Sequence, residues 1–203
     1  MVQKGIKMKK IYVYYAQTSV DTAERELYPR ERMEEILECK NESVRREKYS
    51  AWKLLEHAIN DAFSLDFDNL QFAKLDSGQW VCDKCSFSIS HSDGVAAVAV
   101  SDASVGVDIE PVRAIDQRLA SKVLTDSEYE YYSSLGEDDR ANLLLECWCK
   151  KEAIFKAASG SVLLPKTIEC SAYHTVVKRM NISQREYVIA LASVEPFSSD
   201  TRS

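Results

Sequence analysis

The sequence predicts an α+β protein made of two similar halves, and three observations lead there. Each half reads strand, helices, then strands, with one long helix near its middle. A short polar link, Ser101-Asp102-Ala103-Ser104, separates two apolar strand candidates. Several strand candidates alternate apolar and polar residues with period two, the mark of a half-buried strand. A duplicated unit would give the repeated order, and the link places the boundary between residues 1–102 and 103–203.

With 203 residues the chain has room for one compact domain or two units of about 100 residues. Its 45% hydrophobic and 29% charged content is that of a water-soluble globular protein, which excludes a disordered or fibrous chain. No apolar run approaches the roughly 20 residues that span a bilayer. The basic N-terminus (Lys4, Lys7, Lys9, Lys10) lacks the apolar core of a signal peptide, so a cytoplasmic location and no membrane partner are expected. A net charge of −6 argues against nucleic acid as a partner; any anion must be held by a local cluster.

Taken in order, Lys10–Tyr15 is β-branched and aromatic and predicts a strand. After Pro29 a charged helix is expected from Glu31 to Cys39. The next helix starts near Asn41–Ser43, residues suited to capping, and runs to about Phe63. Val44, Ala51, Leu55, Ala58 and Ile59 share one face, with Trp52 at its border. Opposite them Arg46, Ser50, Lys53 and His57 form a polar stripe flanked by Arg45 and Lys48, either a solvated face or a groove for a phosphorylated ligand.

Strands are expected at Leu70–Leu75 and Ser86–Ser90, with Gly78-Gln79-Trp80 a turn between them and His91 closing the second. A lone histidine there reads first as structural. Asp93-Gly94 signals a turn before the apolar run Val95–Val100. The six cysteines form no secreted disulfide framework. Cys82-Asp83-Lys84-Cys85 is a lone C-x-x-C; structural zinc needs two further ligands, and no second such pair or paired histidines is present, so two free thiols are expected.

Beyond the link, Val105, Val107 and Ile109 point to one face of a strand, and Gly106, Asp108 and Glu110 to the other. The two carboxylates are then about 7 Å apart at their bases, beside a glycine that leaves open space. They repel unless a cation sits between them; an exposed edge strand is the other reading. Ala114–Leu124 is expected to be helical. Thr125-Asp126-Ser127-Glu128 has the spacing of a capping box, for a helix ending at Gly136, which gives Glu128 a structural role.

A helix from about Arg140 to Ser159 follows, closed by Gly160. Leu143, Leu144, Cys147, Trp148, Ile154, Phe155 and Ala158 form its apolar arc. Lys151 falls inside that arc, where an unpaired ammonium is costly. Glu152 and Lys156 pair at the arc's edge. Strands at Thr167–Lys178, with a break, and Glu186–Ser193 end the half, before a polar tail from Pro196. Converging, Asp108, Glu110 and Glu152 would make a hard-cation site of the kind Mg²⁺ shares with substrate phosphates. Lys156 would steady a phosphate, and the basic stripe with His91 would hold a second one.

The G-x-D-x-E core of Val105–Glu110, the W-x-x-K-E-A-x-x-K run of Trp148–Lys156 and the Ser88-Ile89-Ser90-His91-Ser92 strand end together resemble the 4′-phosphopantetheinyl transferases, and in particular the surfactin-synthetase-activating type. The resemblance covers about Arg45 to Lys156. It implies two α+β subdomains in a pseudo-twofold arrangement with the active site at their interface. The N-terminal one would contact the nucleotide of coenzyme A; the C-terminal one would carry the metal site and dock the carrier protein. Asp108, Glu110 and Glu152 would bind Mg²⁺, or Mn²⁺, with the pyrophosphate of coenzyme A. Lys156 and Lys151 would contact phosphate or pantetheine. Ser90, His91, Arg45, Arg46, Lys53 and Gly78 would serve the nucleotide end.

The implied reaction is attack by a serine hydroxyl of an apo acyl or peptidyl carrier protein on the β-phosphate of coenzyme A, with release of 3′,5′-ADP. Asp108, Glu152 and Lys156 would be the catalytic residues, Glu152 or water activated by the metal taking the serine proton and Glu128 being the alternative base. The carrier would dock beside Arg113–Leu124, through Ala114, Ile115, Leu119 and Val123 and the cations Arg113, Arg118 and Lys122. Two subdomains on one chain imply a monomer. The chain departs from the family in having serine where asparagine is usual in the 88–92 stretch, and Gly78-Gln79-Trp80 where Gly-Lys-Pro is frequent, which removes a cation. A catalytically silent module that binds coenzyme A or a carrier protein is the alternative; it would release no 3′,5′-ADP.

Overall fold

In a computed structural model describing residues 10–18, 28–113 and 116–194, the apolar run at 95–100 becomes the middle strand of a sheet covered on both faces. The first half comprises β1 (Ile11–Gln17), α1 (Arg30–Leu37), α2 (Glu42–Phe63), β2 (Phe72–Lys74), β3 (Trp80–Cys82), β4 (Ser86–Ser92) and β5 (Val95–Ser101). The second comprises β6 (Gly106–Pro111), α3 (Ala120–Val123), α4 (Asp126–Ser134), α5 (Glu137–Ala157), β7 (His174–Ile182) and β8 (Arg185–Ser193). Each half builds an antiparallel three-stranded sheet, β1-β5-β4 and β6-β8-β7, and β2 pairs with β3 in a separate ribbon. In both sheets the first strand of the half pairs with its last, and the last with the one before it. That shared topology makes two similar α+β subdomains with apparent pseudo-twofold symmetry.

The burial pattern follows from this arrangement. Val98 and Val100 of β5 pack with Trp52, Leu55, Ala58 and Ile59 of α2. Val95, Ala97 and Ala99, on the strand's other face, pack on Val105, Val107, Ile109, Tyr187 and Ile189 of the second half. In β8, Val188, Ala190 and Ala192 meet Leu145, Cys149, Ala153, Ile154 and Ala157 of α5. A strand covered on both faces has no polar side to display, so β5 shows no alternation.

The two sheets adjoin along β4 and β6, each the edge strand of its own sheet, and serine hydroxyls join the edges. Ser88 Oγ accepts the Val107 N–H at 3.0 Å, while Ser90 and Ser92 donate to Asp108 and Glu110 at 2.8 and 2.9 Å. Serine at every second position of β4 satisfies an edge that would otherwise expose unpaired groups.

Several expectations change in detail. Trp80–Cys82, expected to begin as a turn, forms β3 after the turn at Gly78, whose φ of +85° suits glycine. Of the helix expected over 114–124, the described residues form a 3₁₀ turn (Gln117–Leu119), capped by the Asp116 side chain, followed by the single turn of α3. Helix α5 starts at Glu137, ahead of the expected Arg140, with Glu137, Asp138 and Asp139 favourably placed at the positive end of its dipole. Two 3₁₀ turns precede β7, which opens only at His174. Lys4, Lys7 and Lys9, Ala114 and Ile115, and the tail from Pro196 lie outside the described residues. Among the described residues no helix is long and apolar enough to cross a membrane.

Gly106 overturns one expectation. The space beside it is not open: a Cβ there would lie 1.8 Å from the Ala153 carbonyl oxygen and 2.7 Å from the Ala157 nitrogen. Glycine is required because the backbone of α5 lies directly on β6. Gly106→Ala is therefore expected to destabilise the fold by about 3 kcal/mol, the upper end of overpacking costs. A denaturant midpoint unchanged from wild type would refute that contact.

Candidate active site

The close approach at Gly106 is what brings the charges of α5 to those of β6. Asp108 is 4% exposed. Its Oδ1 accepts from Ser90 Oγ at 2.8 Å and from Lys156 Nζ at 2.8 Å, and Lys156 also donates to the Val107 carbonyl at 3.1 Å. Asp108 Oδ2 is buried without a hydrogen-bond partner. Such an atom carries the cost of its lost hydration.

The neighbours sharpen the field. Burial, then the charge of Asp108, raises the Glu110 pKa; Ser92, Arg113 and Trp148 oppose. Burial raises that of Glu152 too, with Asp108 and Glu110 adding and Lys156 opposing. Burial works against the Lys156 ammonium, yet Asp108 and Glu152 hold its pKa above the ordinary lysine value. The Cys149 thiol, donating to the Val188 carbonyl at 3.6 Å, is pushed well up by burial and then by Asp108. The strand thus brings Asp108 and Glu110, and the helix Glu152 and Lys156, into one electrostatic cluster.

Among the described residues no three His, Cys, Asp or Glu side chains form a ready-made cation cage. The donor chemistry nonetheless fits a hard divalent cation: the charge of Asp108 raises the pKa of both Glu110 and Glu152, and one buried oxygen of Asp108 lacks a partner.

Beside the cluster lies a cleft of about 300 Å³ whose walls include Gly78, Gln79, Trp80, His91, Phe155 and Lys156. Gln79, standing in the turn that lacks a cation, donates to the Lys156 carbonyl at 3.3 Å and so ties the β2–β3 ribbon to α5. His91 Nδ1 lies 3.0 Å from Glu47 Oε2, while Glu47 Oε1 accepts the Gly94 N–H at 2.8 Å. Burial lowers the His91 pKa, Glu47 opposing and Lys156 and Lys48 adding. Ser90 faces Asp108.

Arg45, Arg46 and Lys53 are not among the walls of that cleft, and Lys53 pairs with Glu56 on its own helix. A different cation is there. Arg32 lines the cleft, 8% exposed, with its guanidinium 5.0 Å from the Trp52 ring centroid, one nitrogen bonded to Glu35 at 3.0 Å and its Nε unpartnered. Sequence reasoning missed Arg32, Glu47 and the serine ladder. The signals were present: Arg32 shares a helix face with Ile36, and serine recurs at every second position from Ser86 to Ser92.

Lys151 requires a correction. It is 0% exposed, and its ammonium donates to Val123 O at 2.8 Å, Glu128 Oε2 at 2.6 Å and Pro165 O at 3.1 Å. An ammonium has three donors, and all three are engaged, so Lys151 has none to offer a phosphate or a pantetheine. Glu128 is equally committed, since the same Oε2 accepts the Thr125 N–H at 2.8 Å in a complete capping box. Both act in holding α4 to α5.

Fold and site together define a two-subdomain α+β protein with a buried acidic cluster, faced by an ammonium, where its edge strands meet. Residues 104–194 match the sequence profile of the 4′-phosphopantetheinyl transferase superfamily, ACPS. The 4′-phosphopantetheinyl transferase gsp of Aneurinibacillus migulanus is 27% identical over 132 residues, 63% of this chain and 56% of that protein. The transferase psf-1 of Bacillus pumilus is 29% identical over 112 residues, 54% of this chain and 48% of that one. Sfp of Bacillus subtilis (strain 168) is 25% identical over 115 residues, 55% and 51% respectively. The chain is thus similar to the 4′-phosphopantetheinyl transferase superfamily over residues 104–194. It spans about half the length of these curated relatives.

Proposed function

We propose that this protein transfers the 4′-phosphopantetheine group of coenzyme A to a serine of an apo acyl or peptidyl carrier protein, releasing 3′,5′-ADP, and that it does so in the cytoplasm. The observation that carries the reading is the buried, unpartnered oxygen of Asp108 in a cluster with Glu110 and Glu152. Those three carboxylates would hold Mg²⁺, or Mn²⁺, and the ion would supply neutralisation of the pyrophosphate charge during displacement. The shared sheet topology of the two halves favours the surfactin-synthetase-activating type, with residues 1–102 serving the nucleotide and 103–203 the metal and the carrier.

The chain's own groups divide the remaining work. Lys156, held at Asp108 on the edge of the cleft, would bind a phosphate oxygen. His91, steadied by Glu47, and Arg32 would face the nucleotide end together with Gly78. Arg45, Arg46 and Lys53 would contribute only as charge on the rim. Glu152, with its basicity raised by burial, is the group to take the serine proton. A groove of about 420 Å³, walled by Arg113, Leu119, Val123, Leu144 and Trp148, runs up to Glu110 and suits the arriving carrier or its pantetheine arm. Of the docking cations, Arg118 is bound to Asp116 at 2.7 Å, which leaves the attraction to Arg113 and Lys122.

The deciding assay is incubation with apo carrier proteins, coenzyme A and Mg²⁺, followed by mass spectrometry of the carrier. No mass gain with fatty-acid, polyketide and nonribosomal-peptide carriers would sink the proposal, and binding of coenzyme A without 3′,5′-ADP release would favour the silent module. A second expectation needs no substrate. Mg²⁺ should raise the melting temperature at pH 7.5, and the shift should fade as the pH falls toward 5. The raised pKa values of Glu110 and Glu152 make protons compete with the cation from above the ordinary carboxylate range of about 4.3. A pH-independent shift would dissociate the ion from these carboxylates.

A further inference from the structure

Cys82 and Cys85 stand apart from every group in the proposed reaction. Cys82 is the last residue of β3, and Cys85 immediately precedes β4. The turn between them is pinned: the Asp83 N–H donates to Gln71 O at 3.1 Å, and the Gln71 N–H donates to Asp83 Oδ1 at 3.0 Å. The two thiols are therefore held at the ends of a short turn that cannot readily splay. Cys85 is 9% exposed, and its thiol neighbours that of Cys82 across the turn. The backbone N–H groups of Lys84 and Cys85 also favour the ionised Cys82 sulfur.

Accessibility divides the pair further. Cys82 is half-buried, and both residues line an open cleft of about 390 Å³. Asp83 Oδ1 lies 3.8 Å from the Cys82 sulfur and opposes its ionisation, but Lys84 pairs with that carboxylate at 3.3 Å. The neighbouring Cys85 thiol is the largest influence on Cys82, whose pKa comes down to about 6. The Cys82 sulfur, and then burial, push the Cys85 thiol up. The outer sulfur is thus the ionised one and the inner sulfur keeps its proton, the division of labour of an attacking and a resolving cysteine.

We propose that Cys82 and Cys85 form a reversible dithiol–disulfide couple that reacts with small-molecule disulfides through Cys82. The Cys82 thiolate attacks one sulfur of the disulfide, forming a mixed disulfide and expelling one thiolate. Cys85 then attacks the Cys82 sulfur and expels the second thiolate, its own proton going to a departing sulfur. The protein dithiol loses two electrons, and the small disulfide is reduced to two thiols. The sulfurs, held at the two ends of one pinned turn, close to the covalent distance of about 2.05 Å. The couple does not depend on the transferase reading, and failure of the carrier assay leaves it standing.

The test uses the whole reduced protein and glutathione disulfide. The expected product has lost two hydrogens, carries no glutathione, and yields a single Cys82–Cys85 link on peptide mapping under non-reducing conditions. Cys85→Ala should trap glutathione on Cys82, and Cys82→Ser should form neither species. In a separate measurement at pH 6, iodoacetamide should label Cys82 about tenfold faster than it labels free cysteine, since the gain in thiolate outweighs the loss of nucleophilicity. A disulfide joining other cysteines, glutathione retained by the wild type, labelling no faster than free cysteine, or one tightly held zinc per chain that blocks both thiols would each overturn the proposal.

Discussion

Asp108→Asn is expected to lower phosphopantetheine transfer at least about a hundredfold, the scale on which one preorganised electrostatic group acts. Asparagine keeps the size of the side chain and an oxygen that can accept from Ser90 and Lys156. It removes the negative charge, and with it the oxygen that lacks a partner. The Mg²⁺-dependent rise in melting temperature should disappear with the activity, while the circular dichroism spectrum stays that of wild type. Full activity with Mg²⁺ in this variant would show that the acidic cluster is not where the reaction takes place. Loss of activity with the thermal shift retained would separate the cation from Asp108.

Lys151→Met should cost about 3 kcal/mol of stability, because removing one member of a buried pair strands the other. The stranded groups are the Glu128 carboxylate and the carbonyls of Val123 and Pro165, which converge from three segments on one ammonium. Adding Glu128→Gln should recover part of the loss, since glutamine can still accept the Thr125 N–H of the cap but brings no charge. Denaturant midpoints of the two variants check both statements. A Lys151→Met protein as stable as wild type, but deficient in transfer, would return Lys151 to the ligand and overturn the structural role.

Much of the fold was legible because its signals are local. Asn41 and the Thr125–Glu128 box cap helices where their side chains predict, and the alternation of Phe87 and Ile89 with serines marks β4. Lys151 was legible as an anomaly, a charge on an apolar arc, but its explanation was not. The three oxygens that hold it come from residues 14 to 28 positions away, and no spacing along one helix encodes them. Arg32 failed for the opposite reason. It sits among the charged residues of α1 and looks solvated until Trp52 is seen beneath it.

What the sequence by itself determined is the inventory of the site: two carboxylates on one strand face, and a glutamate and a lysine on one helix face. Periodicities of 2 and 3.6 settle which side chains of a single element share a direction. How β6 and α5 meet was decided only in three dimensions. The backbone of α5 fills the space beside Gly106, the serines of β4 reach the acids from the neighbouring sheet, and one oxygen of Asp108 is left bare. Packing between elements far apart in the chain sets those distances, and such packing leaves no period in the sequence to read.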